Sequence, residues 1–281
     1  MAGLMPWGLA ALTTVLIGCQ SPPQQTAVPP PLDAAAWQGA RVVLVGEQHD
    51  GPQQGELHAQ LVRQLMAGPG LHALVLEMAD AGRDTRSLAP DASEDDIQAA
   101  LAWSPAWPWV RYSGAIVAAV RAGVPVVGGN LPRSEMREAM GEVSAIERQA
   151  GDAWSHLQTL VRQGHCELLP ESQIPAMTRI QIAKDQRMAE TLLSWAQTAP
   201  DREAVLLISG AVHAHRQLGV PLHLSESLAL RSLAWVPANA DAPQSAAFDA
   251  VVRTPPAPET DHCAQLRQRW SRSQPSQGDA P

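Results

Sequence analysis

The chain repeats the phrase Gly-x-x-His after two separate strand-like runs. Residues 41–45 lead into Gly46-Glu47-Gln48-His49, and residues 204–209 lead into Gly210-Ala211-Val212-His213. Parallel strands that end side by side would bring both imidazoles, with Glu47, to the carboxyl edge of a sheet, where open α/β sheets bind their ligands. More than 160 residues separate the two phrases, so only the tertiary fold can bring them together.

The rest of the chain alternates between strand-like and helical segments. Apolar periodicity predicts strands over residues 71–78 and 124–128 and helices over residues 53–67 and 174–197, with a shorter helix that begins at Ser93. Three short late strands are predicted over residues 222–224, 232–236 and 248–252. We therefore expect an α/β fold: a mainly parallel central sheet flanked by helices, with a helical insertion over residues 134–163 and the short late strands.

The first residues predict export and a lipid anchor. Residues 9–17 are mostly apolar but too few to span a bilayer. The end of this segment, Leu16-Ile17-Gly18-Cys19, resembles the bacterial lipobox. The match departs from the usual export signal in one respect, because no Lys or Arg precedes the apolar segment. We expect a signal peptide over residues 1–18, a lipid on Cys19 and a Pro- and Gln-rich tether over residues 19–36. The folded domain would span residues 37–255, in a bacterial cell envelope and attached to its membrane by the lipid.

Two cysteines remain once Cys19 is assigned to the anchor. An even pair in an exported protein, here Cys166 and Cys263, favours a disulfide. Such a bond would tie the tail, residues 256–281, back to the middle of the chain. A thiol nucleophile is the alternative, although neither cysteine lies in a recognisable catalytic context.

The charged residues argue against nucleic acid as a partner and indicate which residue type would bind anions. The net charge of −8 gives no basic surface of the kind that nucleic acid binding needs. Lys184 is the only lysine. Anion-binding groups are therefore expected to be arginines, whose planar guanidinium matches a carboxylate.

Carboxylates and imidazoles at the predicted strand ends are the candidate chemical groups. Glu77 closes the second strand and should meet His49 and His213 at one edge, where two His and one Glu could bind zinc or another divalent metal, or act as an acid–base set with Glu47. His213 lies on the first turn of a predicted helix, where the dipole favours a neutral ring. Arg187 is a candidate positive partner. The alternatives are that Glu47 only caps the next helix and that Arg187 lies on a solvated helix face.

Tyr112 is the only tyrosine, and a phenolate is a good ligand for ferric haem. Trp103, Trp107 and Trp109 lie nearby and could line a flat apolar pocket, while Arg111 or Arg133 could pair with the haem propionates. Alternatively, Tyr112 packs at the start of a helix with its hydroxyl hydrogen-bonded, and the tryptophans belong to the core.

The order and spacing of five motifs resemble the ChaN family of haem-binding, iron-regulated lipoproteins, in the Tiki and erythromycin-esterase-like superfamily. The motifs are Val45-Gly46-Glu47-Gln48-His49-Asp50, Leu76-Glu77-Met78, Gly129-Asn130-Leu131-Pro132-Arg133, Lys184-Asp185-Gln186-Arg187-Met188-Ala189 and residues 210–221. The resemblance implies a lipid-anchored protein of haem or iron uptake in which Tyr112 ligates ferric haem.

The same resemblance implies roles for the edge residues and a set of partners. His49, His213 and Glu77 match positions at which relatives are thought to bind metal or exchange protons. Expected partners are haem, the membrane, a second copy of the chain and an outer-membrane haem receptor. The alternative is a metal-dependent hydrolase, esterase- or protease-like, that uses the paired Gly-x-x-His with Glu77.

Overall fold

The computed structural model describes residues 32–141, 150–241 and 246–273. Cys19, with the predicted signal peptide and most of the tether, lies outside these ranges. The described part contains a six-stranded sheet in which every neighbouring pair is parallel, in the order β3-β2-β4-β1-β5-β6. The strands are β1 (Val42–Glu47), β2 (Leu71–Asp80), β3 (Val126–Asn130), β4 (Ala204–Gly210), β5 (Leu230–Pro237) and β6 (Ala250–Thr254).

Helices connect and cover these strands, which confirms the predicted α/β fold. They are α1 (Gln54–Ala67), α2 (Glu94–Ala100), α3 (Trp109–Arg121), α4 (Met136–Gly141), α5 (Ala153–Gly164), α6 (Ile174–Thr198), α7 (Ala211–Ala214) and α8 (His262–Ser273). Short 3-10 helices lie at Ala34–Trp37, Glu171–Gln173 and Val220–His223. None of the helices in the described ranges is long and apolar enough to cross a membrane.

The central strands bury both of their faces. On β1, Val43 and Val45 belong to the core that packs under α1 and α3, whereas Val42 and Leu44 belong to the core under α6. Side chains alternate between the faces of a strand, so a strand covered on both sides must be apolar throughout. This explains the unbroken apolar run that precedes the first Gly-x-x-His.

The start of α2 follows its sequence signal, whereas one predicted late strand is wrong. The Ser93 side chain accepts a hydrogen bond from the amide of Asp96, and the Asp96 carboxylate accepts one from the backbone N–H of Ser93, so the predicted start is confirmed. Residues 222–224 do not form a strand, because Pro221 lies in the first turn of the 3-10 helix Val220–His223, where its fixed φ suits helical backbone and its missing N–H costs nothing. The other two late strands are present as β5 and β6.

The two remaining cysteines form the predicted disulfide. Cys166 lies two residues beyond the end of α5, and Cys263 lies in the first turn of α8. The bond closes a loop of 97 residues. It ties the C-terminal helix to the end of α5, and α5 forms one wall of the cavity described below.

Candidate functional site

The sheet aligns the two Gly-x-x-His phrases side by side. β1 and β4 are neighbours, and their register places Glu47 opposite Gly210. A Cβ at Gly46 would lie 2.7 Å from the Cα of Ala211, so only glycine allows the first turn of α7 to pack directly on β1. β4 also pairs with β2, which brings Glu77 to the same edge.

Glu47 is the centre of a buried hydrogen-bonded group. Its side chain is only 4% exposed. Its Oε1 receives a hydrogen bond from the Tyr112 hydroxyl at 2.5 Å and lies 2.8 Å from Nδ1 of His49. On the other side, Oε2 lies 3.4 Å from Nε2 of the fully buried His58. Glu47 therefore interacts with three side chains and does not cap α1, whose N-cap residue is Gln53.

These contacts set opposite protonation states for Glu47 and Tyr112. Burial raises the pKa of Glu47, but His58, His49 and Tyr112 outweigh it and hold that pKa below its ordinary value. Burial and the Glu47 carboxylate raise the pKa of the Tyr112 hydroxyl far above its ordinary range. The pair is thus a carboxylate that accepts from a neutral phenol.

His213 lies between two carboxylates. Its Nδ1 is 2.6 Å from Oδ1 of Asp185 on α6, and its Nε2 is 3.4 Å from Oε1 of Glu77. The other oxygen of Glu77 accepts the amide of Gly210 at 2.7 Å. All three side chains are buried.

The neutral His213 expected from the helix dipole is wrong for this environment. Burial disfavours the charged ring, but the Glu77 and Asp185 carboxylates outweigh it and raise the pKa of His213 to about 10. His213 in turn holds the pKa of Glu77 well below its ordinary value, against the effect of burial. The helix α7 has only four residues, so its dipole is weak beside two carboxylates.

His49 is the exposed member of the cluster. Its side chain is 40% exposed, and its ring packs edge-on against Trp107 with centroids 4.8 Å apart. Burial lowers the pKa of His49, but the hydrogen bond to Glu47 and the charge of Glu77 outweigh it and raise that pKa. His49 therefore brings a ring that favours the protonated form to the surface of the site.

A cavity of about 520 Å³ opens above these groups. Its floor is the strand edge, with Glu47, His49, Glu77 and His213, and its opposite wall is the apolar face of α5. That wall consists of Leu157, Leu160, Val161, Gly164 and the following residue His165. Gln181 and Lys184 of α6 also line the cavity, as do Gln48 and residues 210–212 at the strand ends.

Not every predicted site residue reaches this cavity. Arg187 instead contacts Glu135 at 2.6 Å and Glu190 at 3.4 Å, and it lines a separate depression. Arg133 is exposed and lies outside the cavity lining. Tyr112 is 1% exposed and lies beneath Glu47 without lining the cavity. Of the predicted set, His49, Glu47, Glu77 and His213 come together.

The sequence patterns did not predict four residues of the site. His58 ends a third Gly-x-x-His inside α1, which reads as a chance match because it follows no strand. Asp185 and Lys184 lie in a motif with family resemblance, but helical spacing alone does not show which of its residues turns inward. Lys184 is the positively charged side chain in the cavity lining, whereas the expectation was that arginines supply the anion-binding charge. His165 carries no sequence signal.

No group of three metal-binding side chains of His, Cys, Asp or Glu is arranged to hold an ion within the described ranges. In this structure both ring nitrogens of His213 face carboxylates, Asp185 at 2.6 Å and Glu77 at 3.4 Å. The expected metal site of His49, Glu77 and His213 therefore stays a prediction without support from this arrangement.

Comparison with known proteins agrees with this architecture. The ChaN of Campylobacter jejuni, solved with cofacially bound haem, is 22% identical with a TM-score of 0.60, over 76% of this chain and 87% of that one. A mutant of the erythromycin esterase EreC in its open conformation is 15% identical with a TM-score of 0.45, over 72% and 71% of the two chains. A Bacillus cereus protein is 12% identical with a TM-score of 0.43, over 73% and 67%.

The sequence comparisons give the family. No curated protein matches the chain significantly. A family model described as haem-binding uptake, Tiki superfamily, ChaN matches residues 34–224, which is about two thirds of the chain and includes every residue of the cavity floor. The chain therefore belongs to the ChaN family of haem-binding uptake proteins in the Tiki superfamily.

Proposed function

We propose that this chain is a lipid-anchored envelope protein that binds haem for haem or iron uptake, and that haem enters the cavity at the carboxyl edge of the sheet. The observation that carries the proposal is an apolar-walled cavity with imidazoles on two sides, in a member of a haem-binding family. Similarity to the haem-bound ChaN of Campylobacter jejuni supports the fold on which this site is built.

The residues of the cavity fit a haem. The volume of about 520 Å³ lies within the roughly 300–1,000 Å³ of small-molecule and cofactor sites. Leu157, Leu160 and Val161 offer an apolar surface for the macrocycle, and Lys184 offers a positive charge for a propionate. Bound haem would supply an iron centre that nitrogen or oxygen side-chain atoms can ligate.

Iron ligation by Tyr112 stays a prediction of the family resemblance. In this structure the Tyr112 hydroxyl donates to Glu47 and is closed off from the cavity. Ligation would require the phenol to lose its proton beside a carboxylate and to exchange Glu47 for iron. The geometry gives this step no support.

Titration of the purified protein with ferric hemin tests the proposal, with a saturable shift of the Soret band as the expected result. Gly164→Trp should abolish the shift, because a Cβ there has open space around it and the indole would fill the cavity. Gly141→Trp is the matched control, since Gly141 is equally open but lies outside the cavity at the end of α4. No saturable shift in the unchanged protein would refute haem binding.

Anchoring at Cys19 is the part of the proposal that concerns location. Radiolabelled palmitate should enter the protein in bacterial cells, and Cys19→Ser should abolish labelling and release the chain from the membrane fraction. Labelling that survives Cys19→Ser would refute the anchor.

Pairing of two copies over haem belongs to the same proposal, and light scattering with and without hemin measures it. Co-purification from detergent-solubilised envelopes tests the expected haem receptor.

A second candidate function is acid–base hydrolysis. Its support is that His213 is oriented by Asp185 and faces Glu77, while Glu47 and His49 form a second pair at the same cavity. Such pairs can donate and accept protons at one reacting centre. A hydrolase panel on the unchanged protein, His213→Gln and His49→Gln tests this, with His215→Gln as the control. Activity that is absent, or that survives the first two changes, refutes it.

A further inference from the structure

We propose that residues 255–263 form a strap beside the opening of the cavity and that the disulfide between Cys166 and Cys263 is its latch. While the bond is formed, the strap slows the entry and release of the molecule in the cavity. When the bond is reduced, the strap moves away and the cavity opens. The inference rests on the proposed function for the identity of that molecule, haem, and adds how its exchange is regulated.

The strap begins at the same edge of the sheet as the site. Every neighbouring pair of strands is parallel, so Thr254 at the carboxyl end of β6 lies at the edge that carries both Gly-x-x-His phrases. Only β5 separates β6 from β1, a distance of about 10 Å at the usual strand spacing. Residues 255–261 form neither helix nor strand and can span up to roughly 24 Å when extended. Pro255, Pro256 and Pro258 favour such extended backbone.

The two attachments of the strap lie on the floor side and on the wall side of the cavity. Nε2 of His262 is 2.8 Å from Oδ2 of Asp50, the residue that follows the first Gly-x-x-His of the floor. The next residue, Cys263, is bonded to Cys166, which follows His165 of the α5 wall. Two successive residues of the strap therefore connect the floor to the wall.

The disulfide is the stronger of these two attachments. His262 is 62% exposed and Asp50 is 34% exposed, and an ion pair between such groups contributes little to stability. In α8, which continues from the strap, Cys263, Leu266 and Trp270 are half-buried along one face, and residues 264–265, 267–269 and 271–272 are exposed. Little apolar burial therefore remains to hold this segment in place once the bond is broken.

The backbone at the latch is strained. Cys166 and Glu167 both have left-handed φ angles, 55° and 57°, which non-glycine residues rarely adopt in succession. Such strain persists only where the surrounding structure holds it, and the crosslink to Cys263 supplies that hold. Reduction would let this turn relax, and with it the end of the α5 wall.

The bond is within reach of a reductant of the dithiol oxidoreductase class. Neither Cys166 nor Cys263 is fully buried, and exposed disulfides are the ones that serve regulation. One thiolate of the reductant attacks the sulfur of Cys263, forms a mixed disulfide with it and releases Cys166 as a thiolate. The second thiol of the reductant then displaces Cys263. The reductant leaves as a disulfide, and both cysteines end as thiols after taking up two protons.

The strap should change the rates of exchange and leave the affinity unchanged. None of residues 255–263 lines the cavity, so the strap makes no contact with a molecule bound there. An element without differential contacts to the ligand cannot shift a binding equilibrium. It can only raise the barrier for entry and release, as lids do.

Lys184 reports on access to the cavity without any haem, because it is the only lysine and lines the cavity. The haem-free protein is treated with a small amine reagent, acetic anhydride, or with a bulky one, a biotin N-hydroxysuccinimide ester. Peptide mass spectrometry then measures the modification of Lys184. Reduction with a phosphine should raise the rate for the bulky reagent roughly tenfold and leave the rate for the small reagent unchanged.

Variants of the two attachments are the controls. The double variant Cys166→Ser, Cys263→Ser should behave like the reduced protein and should not respond to the phosphine. His262→Ala should raise the rate for the bulky reagent less, because it removes only an exposed ion pair. Transfer of hemin to apomyoglobin measures release, which should become roughly tenfold faster on reduction, with the affinity for hemin unchanged.

The outcomes separate the strap from the proposed function. An unchanged rate for the bulky reagent after reduction overturns the strap. An equal rise for both reagents also overturns it, because a loosened fold would explain that result, and so does an affinity for hemin that falls as release becomes faster. Absence of hemin binding overturns the proposed function alone, since Lys184 is modified without haem. If the double variant does not fold, as judged by circular dichroism, reduction of the unchanged protein decides the question.

Discussion

Asp185 and His213 share a 2.6 Å hydrogen bond, although 28 residues separate them and each is almost completely buried. Asp185 projects from α6, and His213 from the single turn of α7 after β4. The bond fixes the ring so that Nε2 faces Glu77. A buried imidazolium between two carboxylates makes the stability of the fold depend on pH.

Stability should fall as the pH rises from 7 to about 10.5. The pKa of His213 is raised from 6.5 to about 10 by Glu77 and Asp185, against burial. Its stabilisation is therefore fully present below pH 6.5 and is lost as the pH rises through 10. Three pH units at about 1.4 kcal/mol each give a loss on the order of 4 kcal/mol, or roughly 8–16 °C in Tm, by thermal denaturation.

The matched variant for this prediction is His213→Gln, which should show a much flatter pH dependence over the same range. Asp185 does not obscure the result, because burial raises its pKa only to about 6, below the range measured. Equal slopes for the unchanged protein and His213→Gln would contradict a charged His213.

Tyr112→Phe should destabilise the protein by about 1–3 kcal/mol, because the buried Glu47 carboxylate loses a hydrogen-bond donor. Denaturation in urea measures the change. Val110→Ala serves as the control on the same helix, since Val110 is 83% exposed. Unchanged stability of Tyr112→Phe would mean that the hydroxyl does not hold Glu47.

Lys184 should distinguish ligands by their charge. Lys184→Met is expected to weaken ferric hemin about fivefold, the size of a partly exposed ion pair, and to leave the dimethyl ester of hemin unaffected. Lys184→Arg keeps the charge and should bind hemin as before. Fluorescence quenching of the tryptophans measures both affinities. An equal loss for hemin and its ester would assign Lys184 a role other than pairing with a propionate.

Loss of the disulfide should lower stability and make it insensitive to reductant. Bonds that close long loops contribute about 2–4 kcal/mol, and this loop spans 97 residues. Cys263→Ser should therefore melt several degrees lower, and the unchanged protein should match it after reduction. A melting temperature of the unchanged protein that does not respond to reductant would show that the bond carries no stability.

The amino-acid sequence by itself determined the class of fold and the edge that carries the site. The apolar run Val42, Val43, Leu44 and Val45 is typical of a strand buried on both faces in a covered parallel sheet, and the glycine and histidine that follow it mark the strand end. The motifs were sufficient to indicate the ChaN family, which the match to residues 34–224 confirms.

The tertiary structure alone decided which charges meet. Arg187 and Asp185 are two residues apart on α6, yet one pairs with Glu135 and the other with His213, because successive helical positions point in different directions. The protonation of His213 follows from carboxylates supplied by β2 and α6, which no local pattern reveals. Burial and pairing across the fold, more than residue type, set the chemistry of this site.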